Sequence, residues 1–407
     1  MRRAVFRRPS AQTLSRCSHP LPSPGTPLRP AGRVRAVDEQ MRHTMLRTAV
    51  VVGAGLIGTS IGLSLSAKGV TVYLSDKEPM AALTAAALGA GRAEEPPGPV
   101  DLAVLAVPPA DIAATLADAQ SRGLARAYTD VASVKAQALD AIEATGCDTR
   151  TYLGGHPMAG GERSGPLAAR ADLFEGRVWA LVPTPTTSAE TWRTVRSLLD
   201  MCGATPLVMD PHGHDRAVAL VSHTPHLVAS LMAARLQHAT DAEVGLSGQG
   251  VRDVTRIAGG DPKLWLEILA ANAGTVADIL AELAGDLDDA IGALRALTAP
   301  DDDPIRVTGA TTLTGLLSRG CAGHGRLPQK RGAPQGTYAT VSVLIGDQPG
   351  ELARLFTDVG AAGVNIEDIF IDHAPGQITG LVELLVTTDA ADRLRNSLRV
   401  PSTVMAH

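Results

Sequence analysis

The stretch "RTAVVVGAGLIGTSIGLSLSAKGVTVYLSDKE", residues 47–78, decides the fold. A β-branched run, Val50 to Val52, leads into Gly53-x-Gly55-x-x-Gly58, an apolar helical segment follows, and a second strand-like run, Val70 to Leu74, closes on Asp76. Three glycines alone say little. Strand, glycines, helix, strand and terminal acid stand here in the order that a dinucleotide-binding βαβ unit requires. Gly53 permits the tight turn, Gly55 lets a pyrophosphate approach the backbone, and Gly58 lets helix and strand close up, with the helix N-terminus (Leu56, Ile57) facing the phosphates. Asp76 is placed to accept hydrogen bonds from the adenosine ribose. Its carboxylate repels a 2′-phosphate and Lys77 offsets this only in part, so NAD is favoured over NADP.

The alternation continues outward with "VDLAVLAVPP" (100–109), "ARAYTDVASVK" (125–135), "TYLGGHP" (151–157) and "RVWALVPT" (177–184), read as successive strands. Ligands of open α/β sheets bind beyond the carboxyl ends of the strands, where Ser133 and His156 both fall. His156 stands in "GGHPMAGGERSG" (154–165), too glycine-rich for ordinary helix or strand. Either it sits in a solvated turn, or the backbone is cleared for a ligand to reach it.

The chain has 407 residues and a net charge of −5, which allows two or three domains and argues against a nucleic-acid or membrane-surface partner. No apolar run approaches the roughly 20 residues of a membrane helix. Cys17, Cys147, Cys202 and Cys321 lack ligand-like or disulfide-like spacing, so no metal site is expected and a reducing cytoplasm is. Residues 1–46 are arginine-rich, hold no acid before Asp38, and read as a disordered leader, with Met41 or Met45 as alternative starts.

From Pro211 to about Thr298 the pattern turns helical. His214, His223 and His226 lie on one helix, a short segment carries Arg252, Asp253 and Arg256, and a long helix opens at Asp261-Pro262. Its stripe of Leu280, Leu283, Leu287, Ile291, Leu294 and Leu297 needs a second long helix to cover it, which points to a homodimer.

The GAGLIG turn, AVPP, "DVASVK", "GGHPMAGGERSG", "LFEGRVWALVPT", "VSHTPH" and "RDVTRIAGGDPKLW", in this order, resemble the prephenate/arogenate dehydrogenases of tyrosine biosynthesis over about residues 47–320. The resemblance implies NAD-dependent oxidative decarboxylation of prephenate, with arogenate as the alternative substrate. It implies that His156 is the catalytic base, where an ordinary histidine pKa of ~6.5 suits the task. It gives Ser133 the same substrate hydroxyl, Glu162 a gating or orienting role, and Arg256 a substrate carboxylate. His223 would line the pocket, with Asp253 and Trp265 in support. The cofactor contacts are Gly53, Gly55, Leu56, Ile57, Gly58, Asp76, and Val107 and Pro108 of AVPP. Residue by residue the bland readings remain: core histidines at 223 and 226, solvent-facing arginines, and an Asp253 that pairs with one of them.

Residues 300–337 hold one short apolar stretch and then a basic Gly/Pro-rich linker. Beyond it, strand, helix, strand, a turn at Pro375-Gly376 and strand resemble an ACT domain, the βαββαβ amino-acid-binding module, through Asp347-x-Pro349-Gly350-x-Leu352 and Gly363-x-Asn365-Ile366. Asp347, Gly350 and Asn365 are the implied effector residues, with tyrosine the implied ligand. The expected architecture is α/β: a Rossmann-type dinucleotide domain (47–209), an all-helical substrate and dimerisation domain (210–322), a linker (323–337) and a small α+β domain (338–407). Two other classes compete. A β-hydroxyacid dehydrogenase resembles a lysine catalyst on the first middle-domain helix, yet residues 211–258 contain no lysine. A non-enzymatic amino-acid or NAD sensor has no need of Ser133, His156 and Arg256 together.

Overall fold

The structure is a computed structural model and describes residues 46–160, 163–327, 338–372 and 378–398. β1 (Thr48–Val52), β2 (Thr71–Ser75), β3 (Val100–Leu105), β4 (Ala125–Asp130), β5 (Tyr152–Pro157), β6 (Val178–Val182) and β7 (Thr205–Val208) form one sheet in the order β2-β1-β3-β4-β5-β6-β7. Only the β5–β6 pair is antiparallel. The other neighbours run parallel. The sequence pattern missed β7, a four-residue edge strand that contains Pro206 and buries little. Pro is tolerated there because an edge strand leaves some N–H groups without ladder partners.

Helices α1 (Leu56–Ala67), α2 (Pro79–Ala87), α3 (Ile112–Ser121), α4 (Ala136–Ala144) and α5 (Ala189–Cys202) cover the two faces. Successive strand residues point to opposite faces, so Val51, Leu102 and Val104 join one core with Ile61, Leu65 and Leu198. Val50, Ala103 and Leu105 join the other with Ile112, Leu116 and Ile142. Both faces being buried explains why Ala49–Val52 of β1 and Leu102–Leu105 of β3 are continuous apolar runs without alternation. The chain leaves β1 for β2 on one side and returns to β3 on the other. That reversal opens a crevice above β1 and β3.

The helical region begins with α6 (Pro211–Leu236), which contains a π turn at Ala219–His223. By length and composition alone α6 is apolar enough to cross a membrane, which the count of contiguous apolar residues overlooked. Its inner face buries His214, Asp215, His223 and His226, while Leu220, Val221, Leu231 and Met232 are exposed. Short helices α7 (Asp241–Gly245) and α8 (Gln249–Thr255) follow. The expected single long helix after Asp261 is two, α9 (Pro262–Ala271) and α10 (Ala273–Ala296), bent by 94° at Asn272. Buried side-chain bonds at Asn272 hold that break, as described below. Residues read as a short apolar stretch form a 21-residue helix, α11 (Pro304–His324), packed along α10. Its Thr and Gly residues weaken the apolar period, so packing rather than pattern makes the helix.

The C-terminal segment forms β8 (Tyr338–Gly346), α12 (Glu351–Ala361), β9 (Asp368–Asp372), β10 (Thr379–Thr387) and α13 (Thr388–Ser397), with an antiparallel sheet in the order β8-β10-β9. Alternate residues Val341, Val343, Ile345, Val382, Leu384 and Val386 face Leu355, Val359 and Leu394. Gly350 caps α12 at φ +96°, a left-handed conformation that glycine adopts without strain. The expected turn at Pro375-Gly376 lies outside the described residues.

Candidate active site

At the β1–α1 turn each glycine answers a different constraint. A Cβ on Gly53, whose φ is +105°, would lie 2.2 Å from the Ala106 carbonyl oxygen, and one on Gly58 would lie 1.9 Å from the Gly53 oxygen. Around Gly55 nothing lies within 4 Å. The two outer glycines therefore close the turn, while the middle one leaves open space where a phosphate fits. Leu56, Ile57 and Gly58 open α1, whose first turn holds no acid, so its free N–H groups suit an anion. Asp76 is tied into the same turn: Ala54 N–H donates to Oδ2 at 2.6 Å and Glu78 N–H to Oδ1 at 2.8 Å. Each oxygen keeps a second lone pair for a ribose hydroxyl. A cavity of about 460 Å³ adjoins Asp76, walled by Val50, Val52, Leu74 and Thr115. Val107 and Pro108 follow β3 at its carboxyl end. These residues fit a dinucleotide.

Two strands away, His156 sits near the end of β5, paired with Ala180 of β6. The glycines before it serve the sheet rather than a ligand. A Cβ on Gly155 would meet the Asp130 carbonyl at 2.7 Å and Trp179 Nε1 at 2.9 Å, and one on Gly154 the Val182 oxygen at 3.2 Å. Gly160, beyond the strand, has nothing within 4 Å. The expectation that glycine clears the way for substrate therefore fails at Gly154 and Gly155, where the crowding comes from the protein itself.

His156 Nδ1 lies 2.9 Å from His214 Nε2, and His214 Nδ1 lies 2.8 Å from Asp215 Oδ1. Asp215 also accepts the backbone N–H groups of Lys135 at 2.8 Å and Ala136 at 2.9 Å, where α4 begins. The sheet is thereby joined to α6. Burial, then the Lys135 ammonium, then His214 and His223, hold the His156 imidazole well below its ordinary pKa. The expectation of an unperturbed histidine is thus corrected: this imidazole is neutral at physiological pH and stays so into acid.

Lys135, from the "DVASVK" segment, is fully buried and ion-pairs with Asp130, which also accepts the Tyr152 hydroxyl and, at 2.7 Å, the Ala132 N–H. Burial pulls the ammonium pKa down and Asp130 opposes the shift. Burial, then Asp130, pushes the Tyr152 phenol well up, so it stays protonated and donates.

His223 ends the π turn of α6. Nine residues at about 100° each would set His214 and His223 on opposite faces of a regular helix. The extra residue of an i→i+5 turn retards the rotation by about 100° and brings them towards one side. Both are buried. Asn272 Nδ2, at the α9–α10 break, donates to the Asp215 carbonyl at 2.8 Å and lies 3.3 Å from His223 Nδ1. Burial lowers the His223 pKa to about 4 against the opposing pull of Asp215. Trp265 meets His223 edge-on at 6.3 Å and stacks on His226 at 3.5 Å.

The other expected residues are less gathered. Ser133 is half-buried three residues beyond β4, with no hydrogen bond among the described residues. Arg256 is exposed on a short 3₁₀ turn and makes no ion pair among the described residues. Asp253 is exposed and bonds to Gln249 at 2.8 Å, not to an arginine. Glu162 lies outside the described residues. In the C-terminal segment Asn365 donates to Glu367 at 2.6 Å and Asp347 N–H to the Ile378 carbonyl at 2.9 Å. Sequence reasoning passed over Lys135, Asp215 and Asn272, and gave His214 no role. The adjacent His-Asp pair after Asp210-Pro211, and one asparagine in an apolar helix, were the available signals. Among the described residues no cluster of His, Cys, Asp and Glu is arranged for a metal.

A dinucleotide turn at the sheet's reversal point, and on the same sheet a neutral, half-buried histidine linked through His214 to a carboxylate, define a dinucleotide-dependent dehydrogenase. Residues 61–208 match the family model for the prephenate dehydrogenase nucleotide-binding domain, and residues 210–302 that for the prephenate dehydrogenase dimerization domain. A probable prephenate dehydrogenase, NovF, from Streptomyces niveus is 44% identical over 356 residues, covering 87% of this chain and 98% of that protein. The chain belongs to the prephenate dehydrogenase family. Among solved structures it is similar to prephenate dehydrogenase from A. aeolicus in complex with hydroxyphenyl propionate and NAD+, at 25% identity and TM-score 0.59 over 70% of this chain and 99% of that one. It is also similar to Synechocystis arogenate dehydrogenase, at 25% identity and TM-score 0.56 over 68% and 98%.

Proposed function

We propose that this chain oxidatively decarboxylates prephenate to 4-hydroxyphenylpyruvate with NAD, and that His156 is its general base. NAD supplies the acceptor for the hydride that leaves C4. His156 takes the proton of the 4-hydroxyl, the C4–O bond becomes a carbonyl, and loss of CO2 from C1 returns the ring to an aromatic phenol. The observation that carries this reading is the His156–His214–Asp215 chain at the carboxyl ends of the strands, which leaves the imidazole neutral and proton-accepting. Ser133 orients the hydroxyl. Arg256, exposed and without an ion pair among the described residues, is the group for a substrate carboxylate, and Glu162, Asp253, His223 and Trp265 are the further substrate-binding residues of this reading. Asp76 selects NAD. NADH absorbance on mixing the protein with NAD and prephenate tests the reading, and His156→Asn should abolish it while NAD affinity is kept. Near-normal turnover in that variant would remove His156 from the mechanism.

Arogenate carries an ammonium where prephenate carries a keto group, and the likeness to an arogenate dehydrogenase makes it the second substrate to assay. Gly161, next to Glu162, offers no further acid, which favours prephenate. Comparing kcat/KM on both decides.

The proposed organisation is a dinucleotide domain (47–209), a helical domain (210–322), a linker (323–337) and an ACT-like domain (338–407). A homodimer covers Leu283, Leu287 and Leu294, which a single chain leaves exposed. The ACT reading is supported by the βαββα order and by Gly350 at the first helix. The match to NovF leaves about 53 residues of this chain uncovered, too few to exclude the whole segment. Tyrosine is the effector proposed for it. A chain ending at Gly336 should keep dehydrogenase activity and lose its response to tyrosine. Equal sensitivity would move inhibition to the catalytic pocket.

A further inference from the structure

Asp215 reaches two imidazoles of the cleft, half-buried His156 through His214 and buried His223 through Asn272, by different atoms. Its carboxylate can only accept, and it meets His214 Nδ1 at 2.8 Å, so that nitrogen carries a proton. Asp215 also accepts the N–H groups of Lys135, which caps α4, and of Ala136, its first residue, and this helix N-terminus already answers its charge. His214 therefore needs no second proton, and its Nε2 is a bare acceptor. His156 Nδ1, 2.9 Å away, must then donate, which leaves the lone pair of His156 on Nε2.

The carbonyl oxygen of Asp215 also only accepts. Asn272 Nδ2 meets it at 2.8 Å, which fixes which way that amide faces. The second hydrogen of the same nitrogen is turned to His223 Nδ1 at 3.3 Å, so that nitrogen is unprotonated and the proton of neutral His223 lies on Nε2.

We propose that Asp215 sets the two imidazoles in opposite tautomers, His156 as the proton acceptor of the cleft through Nε2 and His223 as a hydrogen-bond donor through Nε2–H. His214 and Asn272 are the positioning residues that carry the instruction. The break between α9 and α10 acquires a purpose: a continuous helix would not turn the Asn272 side chain onto both groups. The division of labour fits a reaction in which one group takes a hydroxyl proton while another holds an oxygen of the substrate. That consequence rests on the function proposed above, whereas the tautomer assignment does not.

The assignment is read directly from the ¹⁵N ring shifts of the full-length protein labelled at histidine, with His156→Asn and His223→Asn identifying the signals. The expected result is His156 protonated at Nδ1, His223 at Nε2, and His214 singly protonated at Nδ1. A proton on His156 Nε2, on His223 Nδ1, or two on His214 overturns the proposal, even in an enzyme that turns over prephenate. Correct tautomers without turnover would instead sink the functional reading alone. In kinetics, His214→Leu should lower kcat/KM by at least about tenfold, towards the roughly 10⁴-fold that a wrong tautomer costs in a serine-protease triad. His214→Gln, whose amide oxygen can accept from His156 Nδ1–H, should restore most of it, with NAD affinity the same in both variants. Equal loss in the two would reduce His214 to packing and count against the proposal. Asn272→Leu should raise KM more than it lowers kcat, and the reverse split would refute the donor role of His223.

Discussion

Replacing Lys135 by methionine separates what the buried ammonium does for the fold from what it does for catalysis. Lys135 and Asp130 are both wholly buried, and the change leaves the carboxylate without its cation. Removing one partner of a buried pair costs about 3–5 kcal/mol. Asp130 keeps two donors, the Ala132 N–H and the Tyr152 hydroxyl, so the lower figure applies. At roughly 2–4 °C per kcal/mol for a domain of this size, a loss of about 3 kcal/mol lowers Tm by about 6–12 °C.

The catalytic effect has its own sign. The Lys135 charge, after burial, depresses the His156 pKa, so its removal lets that pKa rise towards the ordinary value. A base works only above its pKa. The acid limb of kcat/KM therefore moves to higher pH, while burial, the larger cause, still holds it below the ordinary histidine range. NADH formation measured across pH 5–9, beside a thermal melt, reads both effects. The double variant Lys135→Met/Asp130→Asn should recover stability, because a buried pair replaced as a unit is often neutral, yet keep the displaced limb. An acid limb that stays in place or moves down would refute the electrostatic reasoning, whatever the melt shows.

Asp76→Ala should weaken NAD binding and relax choice towards NADP, since it removes both the repulsion of a 2′-phosphate and the 2.6 Å bond that ties Ala54 into the turn. A wild type that already prefers NADP contradicts this. Gly53→Ala puts a Cβ 2.2 Å from a carbonyl oxygen at φ +105°, where the backbone cannot yield, so titration calorimetry should find NAD binding lost. Unchanged binding would show that the turn tolerates a side chain. Arg256→Gln should raise KM and lower kcat/KM by roughly ten- to a hundredfold, the worth of a hydrogen bond to a charged group of about 1.5–3 kcal/mol. Tm should not move, because Arg256 makes no ion pair among the described residues. A lower Tm with normal KM would mark it as structural.

The dinucleotide unit was legible in the sequence because its constraints are local. Gly53, Gly55 and Gly58 answer to backbone atoms within one βαβ unit, and Asp76 bonds to the turn it follows. The parallel strands were legible for a related reason: a strand buried on both faces is a short apolar run, whatever lies beside it. β7 escaped because an edge strand needs no such run, and α11 because its partner helix, not its own period, makes it a helix.

The candidate site divides in the same way. His156 and Ser133 could be placed at strand ends from the order of elements and from resemblance. The roles of Lys135, His214, Asp215 and Asn272 depend on groups from 49 to 80 positions apart in the chain meeting at hydrogen-bonding distance, and no spacing encodes that. The pKa of His156 was misjudged for the same reason. Burial and a buried lysine at the start of α4 set it, and both exist only once the sheet has brought β4, β5 and α6 together.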